Sequence, residues 1–312
     1  MNDLRIIFMG TPEFGLNALK ALYERYNVIG VVCQPDRKSN RGEVKYSKIK
    51  EYALENNIKV FQPENIREDY MEILKENPNL IITCAYGQIL PDDILSYPMY
   101  GCINIHASLL PKLRGGAPIH RAIINGYKKT GITIMMMSKK MDAGDIISQS
   151  EVIIEESDNA GTLHDKLSLI ARDLIINTLP SIINKTYTLV KQNESEVTYG
   201  YNITREDEHI DFSDSSREIY NRIRGLNPWP GAYAILNGRI VKIWNSKIGS
   251  KVSVSSLNGE VIEIYDDGIG IKTENGEIIV TELQLEGKKR MSAKDFLNGV
   301  VNKELLVGRI FE

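Results

Sequence analysis

The chain has 312 residues, with 38 Lys and Arg against 41 Asp and Glu, and a formal net charge of −3. Its length is about two domains' worth and ample to bury a core. The near-neutral balance excludes bulk charge as a means of holding nucleic acid, so any such contact must rest on local clusters. No apolar run approaches the roughly 20 residues of a membrane span, and no signal-peptide layout precedes the first strand-like run. The three cysteines, Cys33, Cys84 and Cys102, lie in or beside apolar runs without metal-type spacing. That placement fits buried thiols in a reducing cytoplasm.

Leu4 to Met9 is a compact apolar run, as expected of a parallel strand. The turn Gly10–Gly15, a helical pattern over Leu16 to Tyr26 and a second apolar run, Val28 to Cys33, follow. This β-loop-α-β order predicts a parallel sheet with a right-handed crossover. The turn lacks the GxGxxG spacing of dinucleotide sites and serves close strand–helix packing. Gln34 to Lys50 then carries six cations against Asp36 and Glu43, a local charge of +4. A solvated loop and an arm that touches a phosphate backbone both fit that composition.

Val60 to Pro63 reads as a strand and Ile66 to Glu76 as a helix. Leu80 to Ala85 is uninterrupted apolar sequence, as expected of a central strand, and the loop Tyr86 to Pro91 is too apolar for an open surface. The next strand, from Gly101, places Asn104 and His106 two residues apart and so on one face. An amide and an imidazole side by side can hydrogen-bond one small polar group between them. Alone, Asn-x-His also fits a structural histidine.

Ile119 to Asn125 reads as a helix with His120 as a surface or packing residue, and Gly131 to Met137 as a strand whose methionines fill core. Met141 to Ile146 is a turn with two aspartates, Asp142 and Asp145. Gly161 to Ile183 is a long amphipathic helix that carries His164. The periodicity then breaks, giving expected boundaries of 1–188 for the first domain, 189–208 for a linker and 209–312 for the second. The second part is strand-rich, with turn signals at Asn237-Gly238, Asp267-Gly268 and Asn275-Gly276. Short strands joined by such turns predict a small antiparallel β-barrel, OB-like in kind. Its 14 cations and 14 carboxylates cancel.

Asn104-Ile-His-Ala-Ser-Leu-Leu-Pro111, followed by Arg114-Gly-Gly-Ala-Pro-Ile119, resembles the signature of the folate-dependent formyltransferases. Members move a formyl group from 10-formyltetrahydrofolate to an amine. The resemblance implies a Rossmann-like open α/β sheet, and a catalytic set of Asn104, His106 and Asp142, the last from an Asp-x-Gly turn. Asp145 is expected to be structural, and Lys140 stands where members usually have Gly. The resemblance further implies that Tyr86, Gly87 and Ile89 face the pteridine, largely through backbone groups. It implies that Ser108, Leu109, Leu110 and Pro111 complete the tetrahydrofolate site, with no metal.

Three further stretches resemble the methionyl-tRNA formyltransferase family within that superfamily. They are Gln34-Pro-Asp-Arg37 with Arg41-Gly42, the run from Arg224 to Ala232 with its Pro-Trp-Pro, and Gly287 to Gly299. Ser47-Lys48-Ile49-Lys50 replaces the usual Ser-Pro-Val-Lys. The implied amine is the α-amine of methionine on initiator methionyl-tRNA. Arg41, Lys45, Lys288, Lys289 and Arg290 are the expected tRNA contacts, and a cytoplasmic monomer without membrane contact is expected. Two rivals compete. A sugar-nucleotide formyltransferase would share the first domain, but the basic loop and the second-half motifs argue against it. A tRNA-binding module with a relic site is opposed by the intact Asn104, His106 and Asp142.

Overall fold

The computed structural model describes residues 4–38 and 44–312. It divides into two compact units. The first comprises Met1–Pro118, Lys129–Ile153 and His164–Tyr201, and the second Ile119–Lys128, Ile154–Leu163 and Asn202–Glu312.

The first unit is built on a seven-stranded sheet. Its strands are β1 (Arg5–Met9) and β2 (Asn27–Val32), then, beyond a two-stranded ribbon of β3 (Arg37–Lys38) and β4 (Val44–Lys45), β5 (Lys59–Phe61), β6 (Leu80–Thr83), β7 (Cys102–His106), β8 (Lys129–Met136) and β9 (Ile146–Ile153). The sheet order is β5-β2-β1-β6-β7-β8-β9. The pairs among β5, β2, β1, β6 and β7 are parallel, and β7–β8 and β8–β9 are antiparallel. β6 is buried along its whole length, and β1 at four of its five positions, which is why both read as continuous apolar sequence. β9, Ile-Ile-Ser-Gln-Ser-Glu-Val-Ile, alternates half-buried and exposed positions along most of its length, as an edge strand does, but not polar and apolar residues, and it was not among the expected strands.

Two local expectations shift. The helix expected over Ile66 to Glu76 shrinks to Met71–Leu74. Upstream, Asn65 accepts from the Arg67 N–H at 3.2 Å and donates to Glu68 Oε1 at 2.6 Å, so an Asn-centred turn competes with the helix. The stretch expected as a linker, 189–208, is divided between the units. Val190 pairs with Ile146, and Thr198 and Gly200 bond the main chain of Arg114, so 189–201 belongs to the first unit.

In the second unit, strands β10 (Ala232–Leu236), β11 (Arg239–Ile248), β12 (Val261–Tyr265), β13 (Gly268–Lys272) and β14 (Glu277–Leu285) run in the order β10-β11-β14-β13-β12, with β15 (Met291–Ser292) beside β14. Asn237 and Gly238 turn the β10–β11 hairpin at φ +52° and +73°, the type I′ geometry that matches strand twist. The two edge strands share one partner. Ile235 and Glu312 exchange two hydrogen bonds of 2.7 and 2.8 Å, and Val261 bonds Arg309 and Gly308 at 2.8 and 2.9 Å. The segment 308–312 thereby pairs both exposed edges. Inside lie Ile210, Phe212, Ile219, Val241, Ile271 and Phe311, all buried.

A helix, Ser216–Gly225, also belongs to this unit, beyond the expectation of strands alone. It starts in a capping box, Ser215-x-x-Glu218, in which both reciprocal bonds are present. Residues 119–128 and 154–163 join the unit through named contacts: Arg121 with Asp207 at 2.6 Å, His120 with the Gly225 carbonyl at 2.8 Å, and Arg224 with the carbonyls of Glu155 and Asp158 at 2.9 and 3.1 Å.

Both tryptophans of the chain, Trp229 and Trp244, lie in the second unit, so their fluorescence follows that unit alone. Phe311→Ala empties a site that is 5% exposed and is expected to remove about 3 kcal/mol from the fluorescence-detected urea transition. An unchanged midpoint would show that the terminal segment does not hold this core.

Candidate active site

β6 and β7 are parallel neighbours, and Thr83 stands opposite Asn104 in register. Their carboxyl ends open into the loops 84–91 and 107–117, the place where open α/β sheets receive ligands. Asn104 and His106 share a face of β7, as their spacing required. Thr83 Oγ1 donates to Asn104 Oδ1 at 2.8 Å, which turns the amide nitrogen the other way. That nitrogen lies 3.4 Å from Asp142 Oδ1. His106 is buried, and its Nε2 is 2.9 Å from the Leu113 carbonyl. A carbonyl only accepts, so Nε2 carries a proton and Nδ1 is the edge turned to the site. Nδ1 is 3.6 Å from the same Asp142 Oδ1.

Asp142 arrives from the turn after β8 at φ +50°, the left-handed region that costs an L residue about 1 kcal/mol. Its Oδ2 accepts from the Gly115 N–H at 2.8 Å, leaving Oδ1 for the Asn104 and His106 edges. Three polar atoms from two segments, strand β7 and the Asp142 turn, thus converge at 3.4–3.6 Å. Such spacing is longer than a good hydrogen bond and leaves all three free to close on a polar atom of a substrate.

The loop residues expected to face the folate divide between exposed and buried positions. Ala85, Gly87 and Ile89 are exposed in alternation, with φ of +52° at Ala85 and +88° at Gly87. Tyr86 buries its ring, and its carbonyl accepts from Gln34 Nε2 at 2.9 Å. Ser108 and Leu110 are buried. Ser108 Oγ donates to the Lys112 carbonyl at 2.6 Å, and the Leu110 N–H donates to Thr133 Oγ1 at 3.1 Å. Both residues therefore shape the loop, while Leu109 and Pro111 remain partly exposed. Among the described residues no group of three or more His, Cys, Asp or Glu could hold a metal ion.

Several residues with no distinct signal in the sequence support this centre. Thr198 Oγ1 accepts from the Leu113 N–H at 2.9 Å, fixing the carbonyl that holds His106. Gln192 bonds the main chain of the Asp142 turn. Both sit in the stretch that composition had marked as linker. Thr83 alone left a trace, as the polar end of an apolar run.

Of the expected tRNA contacts, Arg41 lies outside the described residues. Lys45 is exposed on the β3–β4 ribbon. The charge of the surrounding stretch is smaller than its composition, because Lys50 is buried against the Asp36 carboxylate and Gln62, and Lys48 pairs with Glu51 at 2.7 Å. Lys288 and Lys289 are exposed, whereas Arg290 makes a two-point pair with Glu282 at 2.5 and 2.6 Å and lies over the Trp244 ring.

A family model described as formyl transferase matches residues 4–179, and one described as formyl transferase, C-terminal domain, matches residues 202–301. The methionyl-tRNA formyltransferase of Bacillus subtilis (strain 168) is 51% identical over 302 residues, covering 95% of this chain and 94% of that one. That of Bacillus cereus (strain AH187) is 51% identical over 303 residues, covering 95% and 96%. Among solved structures, the sugar 3N-formyl transferase WlaRD shares the fold at a TM-score of 0.66 and 23% identity, covering 93% of this chain and 100% of that one. HypX from Aquifex aeolicus, in complex with tetrahydrofolic acid, does so at 0.64 and 17%, covering 96% and 48%. These matches define the chain as a formyl transferase. The chain belongs to that family, and within it to the methionyl-tRNA formyltransferases.

Cys102 lies one turn of pleat from Asn104, yet no thiol is poised to react. Burial pushes Cys33 up to about 11, and Cys84 and Cys102 up to about 12. Iodoacetamide at pH 8 is expected to leave all three unmodified in the native protein by intact mass, with formyl transfer retained. Alkylation of Cys102 with loss of activity would place a thiol in the chemistry.

Proposed function

We propose that this protein transfers the formyl group of 10-formyltetrahydrofolate to the α-amine of methionine on initiator methionyl-tRNA, in the cytoplasm. The observation that carries the reading is the meeting of Asn104 Nδ2 and His106 Nδ1 at Asp142 Oδ1. It stands in a chain half identical to methionyl-tRNA formyltransferases along 95% of its length.

The residues divide the work. The amine nitrogen bonds to the formyl carbon, and the bond from that carbon to the donor nitrogen breaks. Charge builds on the formyl oxygen in between. Asn104 Nδ2 and the imidazolium N–H of His106 at Nδ1 donate to that oxygen, the electrostatic contribution that dominates acyl transfer. Asp142 Oδ1 faces the same imidazole edge at 3.6 Å. It also accepts the proton that the attacking amine sheds, directly or through one water, and the departing donor nitrogen takes up a proton. The exposed main chain of 85–89 and the Leu109 and Pro111 surface receive the folate. The second unit, an OB-like barrel in this reading, presents Lys288 and Lys289 to the tRNA, with Arg290 beside them. Arg41 and Lys45 reach its phosphates from the loop after β2.

The direct test offers the purified protein 10-formyltetrahydrofolate with charged initiator tRNA, charged elongator methionyl-tRNA or an amino-sugar nucleotide. Preferential formylation of the initiator is expected, and formylation of the sugar alone would overturn the substrate. His106→Ala and Asp142→Ala are each expected to lose roughly a hundredfold or more in turnover with far-UV circular dichroism unchanged. Near-normal rates in either would remove that residue from the chemistry. Arg41→Ala with Lys45→Ala is expected to raise KM for charged tRNA and flatten its dependence on salt, leaving the KM for the folate alone. An unchanged salt slope would exclude the loop from phosphate contact.

A further inference from the structure

Side chains outside the catalytic set close around the main chain of Asp142. Gln192 Nε2 donates to the carbonyls of Asp142 and Gly144, both at 2.8 Å. Its Oε1 accepts from Arg114 Nε at 3.0 Å and Nη2 at 2.8 Å. Carbonyls only accept and a guanidinium only donates, so the amide has a single orientation and both its ends are engaged. Arg114 is 4% exposed, and Glu194 accepts from its Nη2 at 2.8 Å, supplying the counter-charge. The peptide after Arg114 completes the enclosure, since the Gly115 N–H holds Asp142 Oδ2 at 2.8 Å. On the far side the turn is pressed against β8: a Cβ on Gly144 would stand 1.7 Å from the Met136 carbonyl oxygen. A left-handed Asp142 persists because its surroundings over-determine it.

We propose that Gln192 is a positioning residue for the reaction. By tying the carbonyls of the Asp142 turn to Arg114, it keeps Asp142 Oδ1 aimed at Asn104 Nδ2 and His106 Nδ1. This rests on the reading of Asp142 as catalytic. Gln192 itself bonds neither Asn104 nor His106, nor the Asp142 carboxylate. The task demands two donors on one side and an acceptor on the other, which a carboxamide supplies and no charged side chain does. A glutamate would face two carbonyls with lone pairs, and a lysine would set a second cation against Arg114.

The test is a double-mutant cycle on formyl transfer to charged initiator tRNA, measured in single turnover so that slow rates stay readable. Gln192→Met keeps the length and removes the hydrogen bonds. It is expected to slow transfer about ten- to hundredfold, with steady-state KM values for both substrates within about twofold. Added to Asp142→Ala, it is expected to cost nothing further, because the amide acts only through Asp142. Gln192→Glu keeps the acceptor toward Arg114 but loses the donors, so it is expected to match Gln192→Met, and it carries the same cycle if the methionine variant does not fold. A wild-type rate in these variants, or a loss that multiplies in full with that of Asp142→Ala, overturns the positioning role. Full activity in Asp142→Ala alone would instead overturn the catalytic reading of Asp142, so the two failures are distinguishable.

Discussion

One carboxylate organises the centre. Asp142 divides its two oxygens between the fold and the proposed reaction: Oδ2 is held by a main-chain N–H, and Oδ1 faces the amide of Asn104 and the imidazole of His106. Everything around it serves that division. The strand pair β6–β7 fixes the amide and the ring, with Thr83 turning the amide and the Leu113 carbonyl turning the ring. The loop 113–117 supplies the N–H, and the segment 190–200 braces both the loop and the turn. The chain holds left-handed backbone at Leu113, φ +60°, whose carbonyl bonds His106, and at Asp142, φ +50°. Strain held at a functional site is commonly part of its preorganisation.

The sequence disclosed this centre unevenly, and for physical reasons. Asn104 and His106 were legible because strand periodicity alone sets them on one face. Asp142 was not: it comes from a turn 36 residues after His106, and only family resemblance singled it out from Asp145. Gln192 and Thr198 were hidden deeper. They lie in polar sequence without periodicity, and hydrogen bonds to main-chain carbonyls leave no compositional trace. The parallel strands β1 and β6 were plain because burial on both faces demands unbroken apolar runs. β9 and the edge pairing by 308–312 were not, because an edge strand alternates weakly and a terminal segment pairs through backbone groups that every residue carries.

Charge told a similarly partial story. The +4 of the loop after β2 is a formal sum. In the folded chain Lys50 is buried beneath the Tyr46 ring and neutralised by Asp36, so it anchors the base of the loop rather than presenting charge. In the second unit, Arg290 is paired with Glu282 in the same way, while Lys288 and Lys289 remain exposed. Exposed pairs such as Arg290–Glu282 contribute little stability, about 0–1 kcal/mol. They do decide which cations are open to a phosphate and which already have a partner.

The claim most in need of direct observation is where the formyl oxygen sits. A crystal structure with 5-formyltetrahydrofolate, a stable analogue of the donor, would show it. That oxygen is expected within hydrogen-bond reach of Asn104 Nδ2 and His106 Nδ1, with Asp142 Oδ1 still held toward both. A formyl group seated away from these atoms, with the three side chains unmoved, would contradict it.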